Sequence, residues 1–98
     1  MRDIMGLMKQ AQEMQQKMAN VQAELDTIEV EGAAGGGMVT VTMTAKGALK
    51  AVKIDPSLMV AEEREILEDL VVAACADART RAERVMQERM AEITKGLP

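Results

Sequence analysis

The residues best able to do chemistry in this chain are cations at helical spacing. Six of them form two groups, one near the start and one in the last third: Lys9, Lys17, Arg79, Arg81, Arg84 and Arg89. Lysine and arginine bind phosphate oxygens through charge-assisted hydrogen bonds, so contact with the backbone of duplex DNA is one interpretation of this pattern. Phosphate contacts carry no base sequence, and the predicted binding therefore has little sequence specificity.

By composition alone, a solvated helix face is the favoured interpretation of the arginines. In that case Arg79 would pair with Glu83 and Arg84 with Glu88, each four positions further along a helix. Arg81 and Arg84 lie on nearly the same side of such a helix, whereas Arg79 points elsewhere. The spacing alone leaves both interpretations open.

Most catalytic and metal-binding chemistry is excluded by residues that the sequence lacks. Histidine is absent and Cys75 is the only cysteine, which removes the common zinc, haem and nucleophile-base arrangements. Glu62, Glu63, Asp69 and Asp77 could hold a hard cation, but a solvated acidic face explains them better. We predict no enzyme activity, no catalytic residue, no metal, no cofactor and no small-molecule substrate.

Two further modes of binding phosphates or bases are also excluded. The glycines at 32 and 35–37 are followed by a strand pattern, whereas a phosphate-binding loop leads into a helix with a Lys-Ser/Thr pair. They are interpreted as a hairpin link with positive φ angles. The chain has no Phe, Trp or Tyr, so single-stranded bases would find no stacking platform.

Length and composition indicate one domain, residues 1–98, with a small core. The net charge is −4, but acids dominate residues 62–77 and bases dominate residues 79–95. The lone Cys75 in an apolar stretch suits the reducing cytoplasm. No signal peptide follows Met1, and no apolar run is long enough to cross a bilayer, so no membrane association is expected.

A short sheet lies at the centre of the chain. Residues 39–44 alternate apolar residues with threonines, the period of a strand with one buried face. Residues 46–47 form a turn signal, and residues 48–54 return as a second strand with Val52 and Ile54 on its apolar side. Two strands are unstable alone, so a third strand or a covering helix is required.

Two long helices flank this sheet. Residues 1–26 place apolar side chains at alternating steps of three and four, which is typical of a coiled-coil seam. Residues 27–31 are predicted as a short first strand and residues 32–37 as a flexible connector. Residues 61–94 keep helical spacing before a stop at 96–98, and at roughly 50 Å this helix should overhang a small sheet. The predicted fold is α+β, with three antiparallel strands between the helices.

The seam of the first helix and the edges of the sheet are too extensive to be covered within one chain of this size. A large exposed apolar surface is avoided by monomers, so we predict a two-fold homodimer. The overhanging half of the second helix is expected to carry the four arginines, Arg79, Arg81, Arg84 and Arg89. In a dimer each cation appears twice, and two helical arms could straddle one duplex.

Several stretches match a known family in order and over nearly the whole chain: residues 7–12, 14–15, 17–18, 30–32, 35–37, Val39, Val41, Gly47, 54–58 and 67–74. They resemble the YbaB/EbfC family of bacterial nucleoid-associated proteins. The resemblance implies a small cytoplasmic homodimer shaped like tweezers, which associates with the nucleoid and binds duplex DNA with little sequence specificity. It does not identify the residues that touch DNA, and the six cations are chosen from charge placement. The alternative function is a protein-protein adaptor whose helical arms grip a protein partner.

Overall fold

The sheet and its two flanking helices are arranged as the periodicity predicts. A computed structural model describes residues 2–95, with side chains from Asp3 onward. The helices and strands, in chain order, are α1 Arg2–Thr27, β1 Glu29–Ala34, β2 Val39–Thr44, β3 Leu49–Ile54 and α2 Arg64–Lys95. The predicted α+β order is confirmed, whereas the predicted helix stop at 96–98 lies outside the described residues.

The sheet is antiparallel throughout, with strand order β1-β2-β3. Its core face comes from the apolar half of β2, because Val39, Val41 and Met43 are all buried. The core cluster joins them to residues that follow the sheet: Leu58, Ala74, Ala78 and Ala82. The three alanines are spaced at one turn of α2, so this helix lies flat on the sheet through a stripe of small side chains.

The first strand differs from its prediction. Helix α1 continues through Thr27, and β1 runs from Glu29 to Ala34, so half of the expected connector is strand. The physical reason is Gly32, which is buried beneath α2. A Cβ atom there would lie 2.3 Å from the Ala74 carbonyl oxygen and 2.4 Å from the Ala78 nitrogen. Gly32 therefore permits close approach of helix and strand. The turn is formed by residues 35–38, with positive φ angles at 35–37.

Strand β3 also contributes apolar side chains to the core face of the sheet, but α2 does not cover this strand. Val52 is paired with Val41 and Ile54 with Val39, so both point to the apolar side as predicted. Val52 is nevertheless 40% exposed and Leu49 50% exposed. Helix α2 lies over β1 and β2, and this leaves the β3 part of the face open.

The ends of the two helices form an arm that extends from the sheet. Leu25 is fully buried and fixes the base of α1, where Glu24 also pairs with Arg89 of α2. Further out, Lys17 and Val21 line a groove with Ile93. Residues 3–13 of α1 are exposed at every position. The molecule measures 73 × 19 × 15 Å as a result.

Candidate nucleic-acid interface

The arginines of α2 lie on two different sides of the helix. Arg81 and Arg84 line a groove with Glu31 of β1. Arg79 lies on the opposite flank, where it lines a second groove with Lys46 at the turn between β2 and β3. The six predicted cations therefore do not form one continuous patch within a single copy of the chain.

The position of these arginines along α2 differs from the sequence-based expectation. They were expected on the overhanging half, but Ala78 and Ala82 are buried and hold this part of the helix on the sheet. Helix α2 leaves the sheet later, so within the predicted series only Arg89 lies beside α1 on the arm. Arg79, Arg81 and Arg84 flank the sheet at the base of the arm.

Ion pairs neutralise two of the predicted cations. The Arg89 Nη1 atom lies 3.5 Å from Glu24 Oε1 and 3.7 Å from Glu92 Oε2. The Arg81 Nε atom lies 3.3 Å from Asp77 Oδ2. The charges of Arg81 and Arg89 are thus partly compensated within the protein.

The other predicted cations keep their charge available. The pairs of Arg79 with Glu83 and of Arg84 with Glu88 are not formed in the described part of the chain. Both arginines are exposed, as are Lys9 and Lys17 on α1. Across residues 3–95, these four cations make no ion pair. They are the residues of the predicted set best able to bind phosphate.

Asp77 has a structural role that the sequence reasoning missed. Its Oδ2 atom accepts a hydrogen bond from the backbone N–H of Ala33 at 3.0 Å, at the outer edge of β1. This bond, helped by Arg81, lowers the pKa of the Asp77 carboxyl against the opposing effect of partial burial. The Asp77 carboxylate thus satisfies one backbone N–H group at the unpaired edge of β1, and its ion pair fixes the position of Arg81. Its spacing four residues before Arg81 was the only available signal.

Lys46 is a second residue that the predicted set omits. It lies beside Arg79 in the groove at the β2–β3 turn, and its Nζ atom is 3.3 Å from Asp26 Oδ2. Within residues 3–95 no group of three acidic, histidine or cysteine side chains could hold a metal ion. None of the described helices is both long and apolar enough to span a membrane. The chemistry that this surface offers is anion binding by exposed cations.

The chain is similar over nearly its whole length to proteins of a known family. Residues 1–97 match the model of the YbaB/EbfC DNA-binding family. A nucleoid-associated protein of Afipia carboxidovorans is 64% identical over 97 residues, which cover 99% of this chain and 92% of the relative. A nucleoid-associated protein of Nitrobacter hamburgensis is 61% identical with the same coverage of both chains.

A solved structure has a similar fold. The crystal structure of an uncharacterized protein from Helicobacter pylori superposes with a TM-score of 0.77 and covers 92% of this chain and 94% of that one. Its sequence identity is 23%, so this likeness concerns the fold alone.

Proposed function

Because the chain belongs to the YbaB/EbfC DNA-binding family, we propose that it binds duplex DNA with little sequence specificity as a homodimer. The family and the curated relatives are nucleoid-associated DNA-binding proteins and not enzymes, which implies a nucleoid location. The comparisons do not favour the adaptor alternative. The observation that carries the proposal is the set of exposed cations without ion pairs among residues 3–95.

In the proposed complex the six cations contribute unequally. Arg79, Arg84, Lys9 and Lys17 can approach phosphates without breaking an internal pair. Arg81 and Arg89 must share their charge with Asp77, Glu24 or Glu92, so each should contribute less. The cations of α1 then lie along the arm, and those of α2 lie beside the sheet at the base of the arm. These contacts reach phosphates only, so base sequence has little influence on affinity.

The open part of the sheet face supports the proposed homodimer. Val52 and Leu49 are exposed next to a core face that is otherwise covered by α2. The flank of α2 that faces β3 is also apolar, because Val71, Val72 and Cys75 line a shallow groove there. Val72 is 70% exposed. Together Leu49, Val52, Val71, Val72 and Cys75 are called the dimer face.

We infer that a second copy of the chain occupies the dimer face. A two-fold axis brings the same surface from both copies together, so the exposed β3 of one copy meets the apolar flank of α2 in the other. This contact would remove the largest apolar side chains of β3 from water. It also brings the Arg79 side chains of both copies to the edge of one interface, because Arg79 borders this groove on α2.

DNA binding is tested by fluorescence anisotropy with two unrelated duplexes of equal length. Affinity should be nearly equal for both, and it should fall by orders of magnitude between about 50 and 200 mM salt if several phosphates are contacted. The variant Arg84→Glu should bind both duplexes more weakly and reduce the slope of log affinity against log salt by about 0.9 or more. Parental affinity for this variant at low salt would refute the assigned contact.

A matched control separates a local contact from a change in net charge. Arg64 is exposed at the start of α2, away from the arm, and it makes no ion pair within residues 3–95. Arg64→Glu alters the net charge as much as Arg84→Glu does, on the same helix. Its effect on DNA affinity should be much smaller. Equal effects of the two substitutions would show that only total charge matters.

The dimer is tested by light scattering without DNA. The parent should have the mass of two chains at micromolar concentration, and Val52→Asp should give the mass of one chain. Because Val52 is already 40% exposed, an acid there leaves the interior of each copy intact, as circular dichroism would verify. Lys53→Asp, on the other face of β3, is the control and should remain dimeric. A parent with the mass of one chain would contradict the proposal.

A further inference from the structure

The outer part of α1 carries apolar side chains that nothing covers in the described part of the chain. Ile4 is 61% exposed, Leu7 63% and Met8 60%. These residues continue the heptad seam that α1 uses nearer the sheet, where Met18 and Val21 are half-buried. The seam is thus partly covered at the end nearer the sheet and exposed to solvent at the other end. A row of large apolar residues at three-four spacing fits another helix.

We propose that the outer part of α1, residues 3–17, pairs in an antiparallel orientation with the same segment of a second copy. In an antiparallel pair each a position faces a d position of the other helix. The register that keeps apolar residues opposite one another places Ile4 against Met14 of the second copy and Leu7 against its Ala11. Met8 then lies beside Met8 of the second copy, near the two-fold axis.

The charges of this segment agree with the same register. Asp3 and Lys17 occupy flanking positions of the seam, and antiparallel pairing brings Asp3 of each copy beside Lys17 of the other. Two opposite-charge contacts form by symmetry. Both residues are exposed, and neither makes an ion pair within residues 3–95. Parallel pairing in register would place Asp3 beside uncharged Met8 and form no such contact. Charge complementarity therefore favours a second copy in the antiparallel orientation.

The two paired helices must come from different dimers. The register is centred on residue 9, so each Thr27 lies about 27 Å from the centre and the two bases of α1 are roughly 54 Å apart. A dimer joined through its sheets keeps these bases much closer, since a six-residue strand is only about 20 Å long. Pairing of α1 thus joins one dimer to another. This contact is independent of DNA, and it is distinct from the dimer face.

The first test measures mass by sedimentation equilibrium without DNA, up to high micromolar protein. The parent should pass from the mass of one dimer towards that of two or more. Leu7→Asp should stay at one dimer, because an acid would lie within the paired seam. Gln16→Asp introduces the same residue on the opposite side of α1 and should associate like the parent. Parental behaviour of Leu7→Asp, or a parent that remains one dimer, would overturn the proposal and leave this face to another occupant.

The second test examines the register by exchanging charges. Asp3→Lys and Lys17→Glu each place like charges together twice, so each should raise the dissociation constant between dimers roughly three- to tenfold. The double variant restores both opposite-charge contacts and should recover parental association. A double variant weaker than both single variants would refute the register. Val52→Asp distinguishes this interface from the dimer face. Its chains, which are single at low micromolar concentration, should still associate through α1 at high micromolar concentration. They should lose that association when Leu7→Asp is added.

Discussion

Replacement of Gly32 by alanine is the sharpest test of how α2 sits on the sheet. The added Cβ would meet the Ala74 oxygen at 2.3 Å, the Ala78 nitrogen at 2.4 Å and the Ala78 Cα at 2.7 Å, whereas ordinary contacts begin near 3.4 Å. All three atoms belong to the backbone of α2 and cannot rotate aside. The helix must therefore move outward by about 1 Å, which is 3.4 minus 2.3 Å. That shift loosens the packing of the alanine stripe on β1 and β2.

The expected loss of stability follows from this displacement. Overpacking of a tight interior costs about 1–3 kcal/mol, and the loss of glycine flexibility in the unfolded chain offsets about 0.5–1 kcal/mol. The difference is a net loss of up to about 2.5 kcal/mol. Its mid-range value of about 1.3 kcal/mol should lower the melting temperature by roughly 5–10 °C in a domain of this size. Thermal unfolding followed by circular dichroism, at one fixed chain concentration, measures the shift.

A second glycine provides the control for this substitution. A Cβ at Gly6 meets nothing within 4 Å, and Gly6 lies in the exposed part of α1. Gly6→Ala should raise helix stability by up to about 1 kcal/mol, since alanine is the better helix former. The two variants make the same chemical change with opposite expected signs. A Gly32→Ala protein that melts at or above the parental temperature would show that α2 does not approach β1 this closely.

Three further outcomes are expected. Asp77→Asn should lower the melting temperature at neutral pH. Because folding lowers the pKa of Asp77, the difference in melting temperature between variant and parent should shrink as the pH falls below the ordinary value of 3.8. A difference that stays constant with pH would contradict the charge-based account. Arg89→Gln should speed amide hydrogen exchange in α1 while the sheet amides are unchanged, because it removes the ion pair with Glu24. Leu58→Ala, at a side chain only 3% exposed, should cost about 2–5 kcal/mol in urea unfolding.

Local periodicity was sufficient to predict the elements of this fold. The alternation at Val39, Val41 and Met43 identified both the strand and its buried face, since side chains of a strand alternate between faces. The role of Gly32 was not predictable in the same way. A glycine beside other glycines has the composition of a turn, and only the packing of α2 some forty residues later makes it a contact residue. The spacing of the alanines in α2 could be read from the sequence, but the strand against which they pack could not.

The candidate site shows the same limit more strongly. Sequence spacing placed the arginines on a helix, but it could not tell which cations are compensated, because the partners of Arg89 include Glu24, which lies on the other helix. The spacing also predicted that Arg79 and Arg84 lie on the part of α2 beyond the sheet. They lie beside the sheet, because α2 stays packed on it as far as Ala82. Likewise Val52 has the type of a core residue, and its exposure follows from how far α2 extends across the sheet.

The attachment of α1 at one end gives the arm the mechanics of a lever. Leu25 and the pair of Glu24 with Arg89 fix the base, while residues 3–13 are exposed. A helix resists bending, so motion concentrates at this attachment, and a tilt of about 5° there displaces Ile4 by roughly 3 Å. The core need not deform for the tip to move over that distance. The compliance of the molecule therefore resides in a few contacts at the base of α1, and strengthening them should narrow the range of positions that its tip can reach.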